Sequence, residues 1–246
     1  MNKKMIILAG GKGTRMNVAQ LPKVLVKLNG RPMIDHVVSE VEKLRIKPVV
    51  VTGHGREKVE DFLGHRADYV YQAEQRGTGH AVKMVKDHLK DYEGAVLVMY
   101  GDQPLIKKET LERVFESYMS PVTMMTVKVD DYDGWRACFL NFGKIVRDER
   151  GKIKGIREVR DCEDDELRIN ELNPGYYCFD NRWLRENIDK LGSDNAQGEY
   201  YLTDLIELAV SQGYEVHSIE VEAGECLGVN DEEQLKIVEM LSTNDK

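Results

Sequence analysis

The sequence predicts an α/β fold, a mixed and mostly parallel sheet flanked by helices, with a more β-rich second half. Three observations carry this expectation. Short apolar runs alternate with stretches whose apolar residues recur at helical spacing, the pattern of βαβ units. Several of the runs end abruptly in glycine, as strands do when they deliver a ligand-binding loop. Beyond about residue 121 the helical period fades and strand-length segments follow one another. At 246 residues without linker, repeat or low-complexity segment, the chain reads as one domain, 1–246.

The first strand is Met5 to Leu8, ending in Ala9-Gly10-Gly11-Lys12-Gly13-Thr14-Arg15. Val24 to Val26 is short and apolar. Ile34, Val37, Val38, Val41 and Leu44 mark a helix with Pro32 in its first turn. Val49 to Val51 is a β-branched strand closed by Thr52-Gly53, and Val59, Phe62 and Leu63 suggest a brief helix. Tyr69 to Tyr71 is a strand. Gly77-Thr78-Gly79 precedes a helix carrying Ala81, Met84, Val85, His88 and Leu89 on one side. Ala95 to Tyr100 is the most continuous apolar run and ends at Gly101-Asp102. Leu111, Val114, Phe115 and Tyr118 mark a further amphipathic helix.

Strands then follow at Met124 to Val129, Lys144 to Arg147, Lys152 to Val159 and Tyr176 to Phe179, with a solvated acidic loop at Cys162 to Glu166. Leu202, Leu205, Ile206, Ala209 and Val210 restore a helix, Val216 to Val221 is a strand, and Leu235, Val238 and Leu241 close the chain on a helix. In parallel sheets ligands bind beyond the carboxyl ends of the strands. The glycine loop, Thr52-Gly53, Gln72 and Asp102 should therefore share one rim.

A net charge of −8 argues against a sequence-independent nucleic-acid binder, which needs a basic face. The apolar run after Lys3 and Lys4 is too short for a signal peptide, and no stretch reaches the length of a membrane span. Cys138, Cys162, Cys178 and Cys226 lie far apart and read as free thiols of a reducing, cytoplasmic compartment. The six histidines show no metal-binding spacing.

The glycine loop is the chemical centre. Its N–H groups form an anion cradle, and Lys12, Arg15 and, after the rigid Pro22, Lys23 add charge suited to a triphosphate. It is not a P-loop, because G-x-x-x-x-G-K-[ST] is absent. It also lacks the third glycine of a dinucleotide fingerprint, since Gly11 and Gly13 are followed by Met16.

Leu8-Ala9-Gly10-Gly11-Lys12-Gly13-Thr14-Arg15-Met16 with Pro22-Lys23-Val24-Leu25 resembles the signature of the sugar-1-phosphate nucleotidylyltransferases. Within that family the likeness is closest to the N-acetylglucosamine-1-phosphate uridylyltransferases. It extends through Gln72 to Ala81, Tyr100 to Leu105, Phe142 to Ile145, Glu158, Glu171-Leu172-Asn173, Asn195 to Asp204 and Gly228-Val229-Asn230, in family order along the whole chain.

The resemblance implies a Rossmann-like (GT-A-like) fold, with a nucleotide-binding half (1–120), a sugar-phosphate half (121–230) and a C-terminal helix (231–246). It implies transfer of a uridylyl group from UTP to N-acetylglucosamine 1-phosphate with Mg²⁺. Arg15 and Lys23 would act catalytically on the phosphates. Leu8, Ala9, Gly10, Gly11, Gly13 and Gly101 would line the nucleotide, and Gln72, Gly77 and Thr78 would read uracil. Asp102 and Asn230 would hold the metal. Gly143, Glu158, Asn173, Tyr201 and Thr203 would meet the sugar phosphate.

Taken singly, these residues have plainer readings. Asp102 makes a Gly-Asp-Gln-Pro turn, Asn230 with Glu233 forms a helix cap, Glu158 is a solvated carboxylate, and Gln72 is a strand-end amide. The ordered set outweighs them. Three departures stand out: Phe142 replaces the family's tyrosine, Trp135 to Leu140 replaces a shorter approach, and Gly10 replaces a common alanine. The family's bifunctional members continue into a hexapeptide-repeat acetyltransferase, whereas this chain stops at Lys246 without such a repeat. Either acetylation is done elsewhere or the chain is a fragment. A thymidylyl- or guanylyltransferase and a catalytically silent sugar-nucleotide sensor are the competing functions, and the oligomeric state stays open.

Overall fold

The computed structural model describes residues 1–11, 13, 16 and 21–244. In chain order the first half comprises β1 (Lys3–Ala9), a small hairpin of β2 (Lys27–Leu28) and β3 (Arg31–Pro32), α1 (Met33–Lys43), β4 (Val49–Thr52), α2 (Arg56–Leu63), β5 (Asp68–Tyr71), α3 (Thr78–Met84), β6 (Ala95–Tyr100) and α4 (Lys108–Glu116). The second half comprises β7 (Val122–Lys128), β8 (Lys144–Arg147), β9 (Ile153–Arg157), β10 (Glu171–Leu172), β11 (Tyr177–Asp180), α5 (Asn181–Asn187), α6 (Asp204–Ser211), β12 (His217–Glu220) and α7 (Glu232–Asn244).

Ten strands form one sheet in the order β5-β4-β1-β6-β11-β7-β10-β8-β9, with β12 beside β7. The β5, β4, β1 and β6 ladders are parallel, and β11 opposes both β6 and β7. Because β7 and β12 are parallel, β11 is the one reversed strand in this central region, as the mostly parallel prediction requires. The chain runs from β1 outward to β4 and β5, then returns across β1 to β6. That reversal makes a switch point between the carboxyl ends of β1 and β6, where open α/β sheets receive their ligands.

The second half forks. Residues 171–180 run antiparallel to β7 as one interrupted strand, with β10 against Val127 and Lys128 and β11 against Val122 to Met124. On its other side β10 hands over to β8, whereas β11 hands over to β6. Asn173-Pro174-Gly175 lies at the fork and opens a cleft between the β6 end and the β8–β9 hairpin.

Helices cover both faces because strand side chains alternate. Met5, Ile7 and Ala9 of β1 face a core built with α1, α2 and α4, where Ile34, Val37, Val41, Leu111, Val114 and Phe115 are buried. Ile6 and Leu8 face the opposite core, with Val82, Trp183, Leu205 and Ile206 from α3, α5 and α6. Among the described residues no helix is long and apolar enough to cross a membrane.

Several local expectations change. Val24 and Leu25 lie in a short 3-10 helix, Lys23–Leu25, because the preceding Pro22 carbonyl accepts the Leu25 N–H. Phe62 is exposed; Val59 and Leu63 alone supply the apolar edge of α2. The helix after Gly77 begins at Thr78 itself and breaks into a 3-10 turn, leaving His88 exposed. The Trp135 to Leu140 segment is a 3-10 helix, Gly134–Asn141, anchored by the buried Phe139 between Trp135 and Phe142.

Candidate active site

The loop after β1 is held by neighbouring backbone rather than by side chains. Gly10 O accepts the His54 N–H and Leu8 O accepts the Gly101 N–H, which ties the ends of β1, β4 and β6 together. Gly13 has φ +62°, and a Cβ there would stand 2.7 Å from Lys23 Cβ. Glycine is thus needed both for conformation and for the close seat of the Lys23 backbone. Arg15, with Lys12 and Thr14, lies outside the described residues.

Lys23 reaches the end of β6. Its ammonium pairs with Asp102 Oδ2 and donates to Asn230 Oδ1 at 2.9 Å, and both partners of the ion pair are largely shielded from solvent. Asn230 is brought here by the Val229 N–H donating to Asp102 O. The start of α7 is capped by its neighbour instead: Asp231 Oδ1 accepts the Gln234 N–H, and Gln234 Oε1 accepts the Asn230 N–H. The helix-cap reading of Asn230 therefore transfers to Asp231, which frees the Asn230 side chain for the site.

Gln72 follows β5 and is buried. Its Nε2 donates to Gly77 O at 3.2 Å and lies 2.9 Å from His80 Nδ1. Gly77 has φ +103°, and a Cβ would come within 2.5 Å of Tyr200 O, so this turn also requires glycine. Thr78 Oγ1 accepts the Leu202 N–H at 3.1 Å and so fastens the start of α3 to the 195–202 segment. A cavity of about 320 Å³ results, lined by Leu8, Ala9, Gly10 and Gly11 on one wall and Gln72, Gly77 and Thr78 on another, with Lys23, Asp102 and Asn230 at one end.

At the fork a second hollow of about 220 Å³ shares Tyr100, Asp102 and Asn230 with the first and adds Gly143, Glu158 and Asn173. Asn173 Oδ1 accepts both the Gly175 N–H and the Tyr177 hydroxyl, which leaves Nδ2 as the group available to a ligand. The Asn173 N–H donates to Gly143 O, holding the two walls together. Burial holds the Glu158 carboxyl above its ordinary range; the Thr203 hydroxyl opposes this, and Asp161 and Asp204 reinforce it. A third hollow of about 260 Å³ continues from Glu158 to Tyr201, Thr203, Asp161, Asp204 and Glu207. Burial, then the Glu207 and Asp161 charges, push Asp204 up to about 6.

Of the residues named from sequence, ten line the first cavity, three line the second alone or with the third, and Tyr201 and Thr203 line only the third. Gly13 and Gly101 are not among the residues that line these three hollows. Gly13 sits against Lys23, and Gly101 is packed over Ile7 and Val24. Sequence reasoning missed Tyr100, Gln75, Glu199 and Gln103. Tyr100 stands between the first two hollows, where burial, then Glu158 and Asp102, raises its phenol and keeps it a donor. Its place as the last strand residue before Gly101-Asp102 was the available signal. Gln103 is buried and stitches Pro174 O to Cys226 O, bracing the fork. A larger hollow of about 690 Å³ lies at the opposite end of β6, beside Gly94, and contains none of the residues named from sequence.

Residues 5–199 match the model of the MobA-like NTP transferase domain. The chain is 44% identical over 240 residues to the bifunctional protein GlmU of Latilactobacillus sakei subsp. sakei (strain 23K), covering 94% of this chain and 49% of that protein. It is 42% identical over 248 residues to the bifunctional protein GlmU of Bacillus cytotoxicus, covering 99% and 52%. The chain thus spans about half the length of the curated relatives it matches. A solved UDP-glucose pyrophosphorylase complexed with UDP-glucose shares the fold, with a TM-score of 0.75 at 18% identity over 100% of both chains. The chain belongs to the MobA-like NTP transferase domain family and is a nucleotidyltransferase.

Proposed function

We propose that the protein transfers a uridylyl group from UTP to N-acetylglucosamine 1-phosphate, releasing pyrophosphate and forming UDP-N-acetylglucosamine. The observation that carries this reading is the shared boundary of two hollows. Tyr100, Asp102 and Asn230 belong both to the glycine-loop cavity and to the fork, with Lys23 at the junction. Two substrates seated there would meet at the residues best able to neutralise phosphate. Similarity to the two GlmU proteins supports the choice of reaction.

Two anions must approach, so charge neutralisation and alignment dominate over any protein nucleophile. The Gly10 and Gly11 backbone would approach the nucleotide phosphates, and Lys23, released from Asp102, would follow the α-phosphate. Gln72 would face the pyrimidine edge. Asn173 Nδ2 would donate to the acceptor sugar and Glu158 would accept from it, orienting its phosphate for in-line attack on the α-phosphorus. Arg15, from its place in the signature, would complete the phosphate clamp.

The residues present suit a divalent cation. Asp102 Oδ2 and Asn230 Oδ1 converge on one point, which the Lys23 ammonium holds, and an all-oxygen pair fits Mg²⁺ with its remaining ligands from phosphate and water. Bound there, Mg²⁺ would supply Lewis-acid charge and a template for the two phosphates. The reading treats 1–120 as the nucleotide half, 121–230 as the sugar-phosphate half and 231–246 as the closing helix. It places the enzyme in a reducing, cytoplasmic setting, in keeping with four unpaired cysteines.

The test is pyrophosphate release across UTP, dTTP, CTP and GTP with several sugar 1-phosphates. UTP with N-acetylglucosamine 1-phosphate should give the highest kcat/KM, and equal use of all four nucleotides would overturn the assignment.

A further inference from the structure

Gln72 has one amide, and its environment decides which end of that amide meets the base. The Gly77 carbonyl can only accept, so the group facing it at 3.2 Å must be Nε2. The second proton of Nε2 points to His80 Nδ1 at 2.9 Å. This bond requires Nδ1 to be unprotonated, so the imidazole is the neutral tautomer with its proton on Nε2. Both amide protons are then used inside the protein. What Gln72 turns toward the cavity is Oε1, which lies beside Gly10: a Cβ at that position would come within 3.1 Å of it.

We propose that His80 is a positioning residue for base selection, locking Gln72 so that only an acceptor is presented to the nucleotide. A uracil ring offers N3–H to that oxygen. Cytosine has a lone pair at N3, and two acceptors would face one another. Gly77 alone holds one of the two protons and leaves the amide free to swing about that bond. The inference deepens the uridylyltransferase reading and rests on it.

The surroundings keep the lock closed at neutral pH. Burial lowers the affinity of His80 for a second proton, Arg76 and Lys83 push the same way, and the Glu74 carboxylate and backbone oppose them. The Lys83 charge is itself paired with Asp189 at 2.9 Å. The Tyr200 ring lies 6.3 Å from the imidazole, centroid to centroid, and is covered by the Arg76 guanidinium. The ring's far side borders a separate hollow of about 200 Å³ lined by Arg76, Lys83, Ile188 and Leu191.

The experiment measures the ratio of kcat/KM for UTP and CTP by pyrophosphate release, in the wild type, His80→Leu and His80→Asn. The ratio cancels titrations common to both triphosphates. Leucine removes the acceptor, and the UTP preference should fall by about tenfold or more, the usual consequence of losing one buried hydrogen-bond constraint. Asparagine places an amide oxygen where Nδ1 stood and should restore the preference to within a few-fold. A wild type that prefers UTP, combined with an unchanged ratio in His80→Leu, would overturn the proposal. Should His80→Leu fail to fold by circular dichroism, His80→Ala is measured in its place, and an unchanged ratio there overturns the proposal equally. Absence of any UTP preference in the wild type would instead overturn the uridylyltransferase reading.

Discussion

Replacing Lys23 by methionine should tighten metal binding and cripple turnover in the same molecule. In the nucleotide-free protein the ammonium occupies the point on which Asp102 Oδ2 and Asn230 Oδ1 converge, so an incoming cation must displace it. The side chains of the Lys23–Asp102 pair are 13% and 15% exposed. That places the pair between a surface ion pair, typically worth up to about 1 kcal/mol, and a fully buried one, whose disruption costs about 3–5 kcal/mol. An intermediate cost of about 1–2 kcal/mol corresponds to a roughly 5- to 30-fold gain in Mg²⁺ affinity once the lysine is gone. Methionine keeps the length and apolar stem, so the Gly13 contact survives. Turnover should nevertheless fall by about 10² or more, because a charge aimed at the α-phosphate is lost. Titration calorimetry with Mg²⁺ on nucleotide-free protein reads the first effect, and pyrophosphate release at saturating Mg²⁺ reads the second. Metal affinity that is unchanged or weaker in Lys23→Met would refute placement of the cation between Asp102 and Asn230.

Three further outcomes follow from the same geometry. Asp102→Asn should lower kcat/KM by roughly 10² or more while leaving the fold intact, and full activity would move the metal site elsewhere. Gly13→Ala combines a positive φ with a Cβ 2.7 Å from Lys23 Cβ and should cost about 1–3 kcal/mol, lowering Tm by a few degrees in a thermal melt and raising the KM for nucleotide. Asp204→Asn should stabilise the protein at neutral pH by about 1 kcal/mol after discounting for solvent screening and for the lost charge at the start of α6. The sign follows from a folded-state carboxyl raised to about 6: its penalty is fully present above that value and disappears as pH falls toward the ordinary Asp range. Melts at about pH 7.5 and about pH 4.5 should therefore show a clearly larger difference at the higher value.

Periodicity makes the first half of the chain legible from the sequence. Ala95 to Tyr100 emerges as β6 at the predicted bounds, and Ile34 to Val41 forms the buried face of α1, because long regular runs leave little choice of face. The second half was less legible because its elements are too short to show a period. β10 is only Glu171–Leu172, and the turn at Asn173-Pro174-Gly175 hides that it continues into β11. α5 went unpredicted because Asn181–Asn187 is polar in sequence, although Asp180 capping the Trp183 N–H was a readable start signal. At the site, residues on strand ends could be placed because the carboxyl rim is a property of topology. Tyr100 and His80 could not, since their importance depends on which atoms of Asp102, Glu158 and Gln72 they face.

The forked strand has a consequence for how such an enzyme can diversify. The β8–β9 hairpin joins the rest of the sheet through the two residues of β10, whereas the glycine-loop cavity is framed by the long ladders of β1, β4 and β6. The prong and the 134–141 helical segment at its root are nevertheless packed on the same two cores as those ladders, through Ile145, Ile153 and Ile156 on one face and Phe139 on the other. On the proposed reading, a change of acceptor would therefore be sought in a prong tied to the sheet by two residues, and a change of donor in ladders that also carry the core.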